Sequence, residues 1–398
     1  MMPTDTLARL RLARAEGVGP VTYRRMLQRY GSAAAALDAL PALARAGGRT
    51  APPRVPSEAA AAREAGRLDK MGARLLFADT DAYPKLLALL DDAPPVIAVQ
   101  GDASLLEARS VALVGGRNAS ANGQRMAETL AADLAASGLV VASGLARGID
   151  AAAHRGAMTR GRTVAVIAGG LDVPYPAENA DLQRAIAEAG AVVAEAPLGT
   201  EPQARHFPRR NRIIAGLVLG IVVVEAAPRS GSLITARLGQ EAGREIFAVP
   251  GSPLDPRARG ANDLLRQGAV LTESATDVID NLPDHPMREG IGRSPLFARG
   301  LPPGMPTGLG ATRSFLDPPD PTPGQAGESG EAHRQLLELL EASPTPVDDL
   351  VRRCQFSPAA VMAALLELEL AGRVETLPGN RVALLAPGVA PGVAASGA

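Results

Sequence analysis

From Ser110 to Ala269, short continuous apolar runs alternate with longer segments whose apolar residues recur every three or four positions. The runs SVALVG, LVVASG, TVAVIAGG, AVVAEA, IVVVEA and REIFAVPG are rich in β-branched residues and too short for helices, which predicts strands covered on both faces. Between them NGQRMAETLAADLAASG, GIDAAAHRGAMTRG, ENADLQRAIAEAG, PRRNRIIAGLVLG, SLITARLGQEAG and GANDLLRQGA carry the period of amphipathic helices. Strands and helices in strict alternation predict an α/β fold, an extended Rossmann-like, doubly wound and mostly parallel sheet. The preceding stretch, ARLLFADTDAYPKLLALLDDAPPVIAVQGD, has short apolar runs broken by proline and reads as an edge extension of that sheet.

The two ends follow a different pattern. TLARLRLARAEG, VTYRRMLQRYG and SAAAALDALPALARAGG predict short helices, with Gly17-Val18-Gly19 between the first two. That turn resembles a helix-hairpin-helix connection whose amides reach phosphates, and its simpler reading is a tight link in a small helical module. At the other end EAHRQLLELLEA, VDDLVRRC and SPAAVMAALLELELAG predict three helices, and RVETLPGNRVALL predicts a hairpin, together a winged helix. Ser357 before Pro358 is a good N-cap. A duplex-reading winged helix presents Arg, Lys, Asn or Gln on its third helix, whereas this one offers Ala, Leu and Glu, which predicts a protein-contact or regulatory element. The expected domains are a helical SAM or helix-hairpin-helix-like module over 1–72, the Rossmann-like domain over 73–285, a Pro/Gly-rich flexible linker over 286–330, the winged helix over 331–386 and a disordered tail over 387–398.

Charge refines this division. The 398-residue chain has a net charge of -1, but residues 1–72 carry 12 basic and 6 acidic side chains, while 331–398 carry 5 basic and 8 acidic ones. The two ends should therefore have different partners. Cys354 is the single cysteine, so no intrachain disulfide is available and a reducing cytoplasm is the expected setting. The four histidines lack metal-site spacing, which predicts no structural metal. No signal peptide is evident, and the longest apolar run, Ile213 to Val224, is shorter than a membrane span.

Ligands of such sheets lie beyond the carboxyl ends of the strands. The loops there are alike in being small-residue turns: Gly115-Gly116-Arg117, Ser143-Gly144-Leu145-Ala146-Arg147-Gly148, Gly169-Gly170-Leu171-Asp172, Ser230-Gly231-Ser232 and Pro250-Gly251-Ser252. Small residues let backbone N–H groups approach an anion. At the same rim the stretch RHFPRRNR gathers Arg205, Arg209, Arg210 and Arg212 around His206 and Phe207, with no acidic residue between Glu201 and Glu225. Pro208 suits the first turn of a helix, where unpaired N–H groups favour phosphate. The expected nucleic-acid contacts are Gly115, Gly116, Arg117, Ser143, Gly144, Arg147, Gly148, Phe207, Arg209, Arg210, Asn211, Arg212, Ser230, Gly231 and Ser232. Arg205 reads as surface; Phe207 and Tyr175 are the aromatics of the rim loops, and each fits either stacking on a base or anchoring its loop.

No cofactor and no catalysis are expected. The first loop lacks G-x-G-x-x-G, and the second strand ends in Ala-Ser-Gly rather than in an acid for a ribose hydroxyl. The rim serines lie in no G-x-S-x-G elbow. Asp150 and His154 share a helix face, with His154 read as a packing or capping residue; Glu195 and Glu225 end strands at the rim and read as acceptors for loop amides.

The succession VALVGGRNAS, SGLARGIDAAAHRGA, GGLDVPYPAEN, FPRRNRIIAGL, VVVEAAPRSGSLITARLGQEAGREIFAVPG and GANDLLRQGA resembles the DNA-processing protein A family, also called DprA or Smf. The resemblance covers about half of the chain, and the flanking modules match a common layout of that family. It implies binding and protection of single-stranded DNA in natural transformation, loading of a RecA-type recombinase, and a homodimer formed through the late part of the α/β domain, near GANDLLRQGAVLTES. Gly116 stands where the family usually has Ser or Thr, so one hydroxyl contact to phosphate is missing. Two alternatives stay open: a nucleotide-binding enzyme, such as a nucleoside monophosphate hydrolase, using Ser230-Gly231-Ser232 for one phosphate, and an adaptor whose winged helix recruits partners.

Overall fold

The computed structural model describes residues 4–283, 326–340, 343–377 and 380–385. Most of the expected linker and the expected tail lie outside these residues. In chain order the first elements are α1 (Thr4–Ala13), α2 (Pro20–Tyr30), α3 (Ala33–Ala46), α4 (Glu58–Lys70), β1 (Ala73–Phe77), α5 (Lys85–Ala88), β2 (Val96–Gly101), β3 (Ser110–Val114), α6 (Ala121–Ala136), β4 (Val140–Ser143), α7 (Ile149–Arg160) and β5 (Thr163–Ile167). There follow α8 (Ala180–Ala189), β6 (Ala191–Ala194), α9 (His206–Leu217), β7 (Gly220–Val223), α10 (Gly231–Glu241), β8 (Glu245–Ala248), α11 (Arg259–Arg266), β9 (Val270–Leu271) and α12 (Ala275–Asn281). The last are α13 (Ala326–Leu339), β10 (Thr345–Pro346), α14 (Val347–Arg353), α15 (Pro358–Leu370), β11 (Val374–Leu377) and β12 (Arg381–Leu384).

Two compact units result, one from the chain up to Ala13 with Pro56–Pro283, the other from Arg14–Val55 with the residues after Pro283. The four helices within 1–72 are thus shared between the units. Leu7 and Leu10 of α1 and Ala61 and Ala65 of α4 pack with Phe77 and Val96 of the first two strands.

In the first unit nine strands run in the order β1-β2-β6-β5-β4-β3-β7-β8-β9. The seven from β6 to β9 are parallel, as the unbroken β-branched runs predict, while β1 and β2 pair antiparallel at the edge. Alternate residues serve opposite faces. Ala112, Val114, Ile221 and Val223 pack with Ile213, Ile214 and Leu217 of α9 and Ala236 of α10. Val111, Leu113, Val141 and Val222 pack with Leu130 and Leu134 of α6 and with Ile149 and Ala153 of α7. The sheet reverses its order between β3 and β7, so the loops after these two strands are neighbours at the point where such folds bind ligands.

Helices α6 and α7 cross with almost no clearance, since a Cβ on Gly156 would lie 2.0 Å from the Glu128 carbonyl oxygen. Beneath them His154 is fully enclosed, its Nδ1 2.7 Å from Thr163 Oγ1. Thr163 donates its own proton to the Val141 carbonyl at 2.6 Å, so His154 Nδ1 carries hydrogen and donates. Nε2 is buried without a partner, which suits a neutral ring.

In the second unit β10, β12 and β11 form a three-stranded antiparallel sheet against α13, α14 and α15, the winged helix read from the sequence. Helix α13 starts at Ala326, earlier than the expected Glu331. Ser357 caps α15 by accepting from the Ala360 amide, as expected.

Burial lowers the His154 pKa from 6.5 to about 3, with the charges of Arg210 and Arg155 acting in the same direction. Between those values the unfolded chain holds the proton and the folded chain does not. The stability contribution of neutral His154 is therefore complete above pH 6.5 and is lost as pH falls toward 3. Urea unfolding of the wild type should lose about 1.4 kcal/mol more per pH unit below the histidine value than His154→Gln, which keeps a donor for Thr163. Parallel pH profiles for the two proteins would refute a buried neutral imidazole.

Candidate nucleic-acid interface

The loops after β3, β4 and β7 are held together by their backbones. The Gly116 amide donates to the Glu225 carbonyl at 2.6 Å, and the Ile149 amide to the Gly116 carbonyl at 3.3 Å. Gly148 has φ 72°, and a Cβ there would lie 2.4 Å from the Gly116 oxygen, so both conformation and space require glycine. The Glu225 carboxylate accepts from the Ser120 amide at 2.7 Å and from the Ser120 hydroxyl at 2.9 Å. Ser120 in turn caps α6 through the Gly123 amide. Glu225 thus binds loop amides as the sequence suggested. Glu195 forms an ion pair with Arg212 at 2.6 Å.

Under this layer lies the guanidinium of Arg210, which is 6% exposed. Its Nη1 donates to the Val166 carbonyl at 2.6 Å, and it occupies the space that a side chain on Gly144 would need, 2.0 Å from a built Cβ. Burial pulls its pKa down to about 10, with Asp150 opposing, so it stays protonated at neutral pH. Burial likewise raises the Asp150 pKa, opposed first by Arg210 and then by hydrogen bonds that include the Ala146 and Gly144 amides. Asp150 is thus an internal acceptor: amides that a phosphate-binding loop would offer outward are turned toward it. Asn179 Nδ2 donates to the Leu145 carbonyl at 2.9 Å and closes the same loop from the other side. Ser143 is fully buried and donates to the Leu113 carbonyl at 2.6 Å, so its hydroxyl faces the sheet rather than a ligand.

The rim arginines divide accordingly. Helix α9 begins at His206 with Pro208 in its first turn, as anticipated. Arg212 is buried, paired with Glu195 and also bonded to Asp92 through its carbonyl and its carboxylate. Asn211 is buried as well and donates to the Gly231 carbonyl at 3.3 Å. Arg205 and Arg209 are exposed. Both depress the His206 pKa, after the larger effect of burial, which marks the local potential as positive. Arg147 is exposed and pairs with Glu178 at 2.8 Å. Ser230 caps α10, its hydroxyl 2.7 Å from that of the buried Ser232, and nothing lies near a Cβ built on Gly231. The sequence reading passed over Arg229, which is exposed just before the Ser230 cap; its position beside the small-residue loop was the available signal.

One group of side chains combines charge with aromatic surface. The Arg117 guanidinium carbon lies 4.6 Å from the Phe207 ring centroid, and the Phe207 and Tyr175 rings are 5.7 Å apart and tilted by 53°. Arg117 is exposed, and Tyr175 is 45% exposed. The three come from the loops after β3 and β5 and from the start of α9. A cation over one ring face, with a second ring beside it, suits a phosphate next to a base.

Residues 74–283 match the family described as DNA recombination-mediator protein A, with residues 3–66 matching a DprA-like N-terminal HHH domain and 318–380 a DprA winged helix domain. Protein Smf of Escherichia coli (strain K12) is 37% identical over 319 residues, which cover 80% of this chain and 79% of that protein. DNA processing protein DprA of Streptococcus pneumoniae is 46% identical over 200 residues, 50% of this chain and 71% of that protein. The X-ray structure of DNA processing protein A from Streptococcus pneumoniae superposes with a TM-score of 0.59 at 35% identity, covering 72% of this chain and 100% of that one. Among the described residues no helix is long and apolar enough to cross a membrane.

Because Glu225 holds both the amide and the hydroxyl of Ser120, Glu225→Ala should lower the unfolding free energy by about 2–3 kcal/mol. Hydrogen exchange should quicken at the Ser120 and Gly123 amides before it does in the strands. Unchanged exchange there would show that the loop is held without the carboxylate.

Proposed function

The chain belongs to the DNA recombination-mediator protein A family, and on that footing we propose that its α/β unit binds single-stranded DNA along the rim beyond the strand ends. The observation that carries this reading is the Arg117, Phe207 and Tyr175 group, where a guanidinium and two ring faces lie side by side at an exposed edge. A strand laid there would place a phosphate at Arg117 and a base on Phe207 or Tyr175. Arg209 and Arg229 extend the cationic wall. Arg147 joins it by exchanging its exposed partner Glu178 for a phosphate, a small loss because exposed pairs are weak.

The remaining rim residues take supporting places in the same proposal. Arg210, Arg212, Asn211, Ser143 and Ser232 are buried and set the shape of the groove. Gly115, Gly144 and Gly148 allow the loops their close approach, Gly116 ties them together through its amide and carbonyl, and Ser230 and Gly231 leave the start of α10 open to the strand. In its wider role the protein acts in DNA processing during natural transformation, shielding the strand and delivering it to a RecA-type recombinase. It does so in the cytoplasm, without catalysis and as a homodimer formed through the late part of the α/β domain. Family membership supports that wider role. The domains are proposed to divide near residues 72 and 285, with a linker to residue 330.

A labelled single-stranded oligonucleotide titrated at two salt concentrations tests the binding. Arg117→Ala and Arg209→Ala should each reduce the salt slope by about 0.7, the signature of one phosphate contact. Phe207→Ala should weaken binding by about 1–3 kcal/mol with little change of slope, the signature of a stacked base. Unchanged affinity in a folded Arg117→Ala/Arg209→Ala protein would end the assignment. Displacement of the oligonucleotide by micromolar mononucleotide would favour the enzyme instead.

A further inference from the structure

The charge pattern sets the two ends of the chain apart, and the second unit brings them together. Residues 14–55 hold seven arginines against Glu16 and Asp38, while the acidic excess lies beyond residue 331. Helices α2 and α3 pack on α15, the helix that a duplex-reading winged helix would place in the major groove. The approach is close. A Cβ on Gly47 would fall 1.9 Å from the Glu367 carbonyl oxygen and 2.9 Å from Ala371 Cβ. One on Gly17 would fall 3.4 Å from the Leu370 carbonyl oxygen, so the Gly17-Val18-Gly19 turn lies against the end of the same helix.

The polar groups at this contact are of opposite charge but not bonded to one another: Thr22 Oγ1, Arg25 Nη1 and Glu369 Oε2 are buried without a hydrogen-bond partner. Burial raises the Glu369 carboxyl, and Thr22, Arg25 and Thr376 lower it again. Burial lowers the Arg25 guanidinium, and Glu369 raises it. Glu369 Oε1 accepts from the Thr376 amide at 3.4 Å, and its charge and that of Arg25 act on each other through space rather than as a bonded pair. Glu367, 9% exposed on the same helix, lies with a carboxylate oxygen 2.9 Å from His333 Nε2 and acts electrostatically on Tyr30 of α2. A winged helix that read duplex DNA would bring cations to this face, whereas α15 brings carboxylates to an arginine-rich segment.

We propose that the winged helix takes this chain's own N-terminal helices as its partner, and that α15 thereby covers the Gly17-Val18-Gly19 turn. That turn then meets a phosphate backbone only when α15 is displaced. The contact is a built-in cover for a second nucleic-acid surface, separate from the rim of the α/β unit and independent of its role.

The test uses the full chain. Gly47→Leu puts a side chain where there is no room, and Gly66→Leu, at an open position in α4, is the control. Glu369→Lys is a second route, opposing Arg25 without adding bulk at Gly47. Both Gly47→Leu and Glu369→Lys should speed hydrogen exchange in residues 14–30 and 366–372 together and raise affinity for a duplex oligonucleotide several-fold, while Gly66→Leu does neither. The gain should vanish on adding Arg24→Ala/Arg29→Ala. If the gain depends instead on Arg373 of the winged helix, α15 and its hairpin read DNA and the proposal is overturned. Faster exchange without gain in duplex affinity overturns it too, as does exchange unchanged in both variants. Should Gly47→Leu also loosen α13 and the β11–β12 hairpin, the Glu369→Lys result decides.

Discussion

The rim depends on one buried charge, that of Arg210. Its guanidinium sits below Gly144, bonds to the end of β5 at Val166 and is balanced by Asp150 at the start of α7. A cation out of water needs such partners or its burial is costly. Here the two partners belong to different elements, and Gly144 lies against the guanidinium from a third segment, so satisfying the charge also fixes their mutual placement. Phe207 lies one turn earlier on α9, and that turn carries it past the strand ends to Arg117. The exposed stack is therefore held by an interaction that never reaches solvent.

The same burial assigns different tasks to a run of arginines that look equivalent in composition. Arg212 is consumed by Glu195 and Asp92, joining α9 to β6 and to the segment before β2. Arg209, immediately before the first of the two buried arginines in sequence, points outward. Inward charges give the groove rigidity, and outward ones give it potential. Asp150 adds a further distinction, because it internalises the amides of the loop after β4, whereas the start of α10 keeps Gly231 open. Loops of similar sequence at one rim thus differ in what they offer an anion.

The parallel sheet, its edge extension and the winged helix were legible because buried strands must be apolar throughout and helices must show their period, whereas the antiparallel pairing of that edge was not. The inward turn of Arg210 was written less plainly. Arg210, Ile213, Ile214 and Leu217 follow helical spacing on one face, but the dense positive charge of RHFPRRNR suggests solvent. Ser143 shows the converse: it closes the apolar run LVVAS and shares the burial of that strand, though its hydroxyl resembles a ligand group. Neither Glu225 bonding Ser120 nor α2 finding α15 has a local pattern, since each joins residues far apart in sequence. The division of the first four helices between the units has the same origin, because α4 follows β1 while α2 and α3 follow a helix near the other end of the chain.

That last pairing bears on how the polypeptide acquires its structure during synthesis. Residues 14–55 leave the ribosome early, yet the helix they pack on, Pro358–Leu370, is made about 300 residues later. At elongation rates of about 5–20 residues per second, the interval is roughly 15–60 seconds. The α/β unit is completed within that time, while the early segment waits with its apolar face uncovered. Closing the second unit is the last long-range step of folding, and a chain that stops short of Pro358 leaves its first helices without their cover.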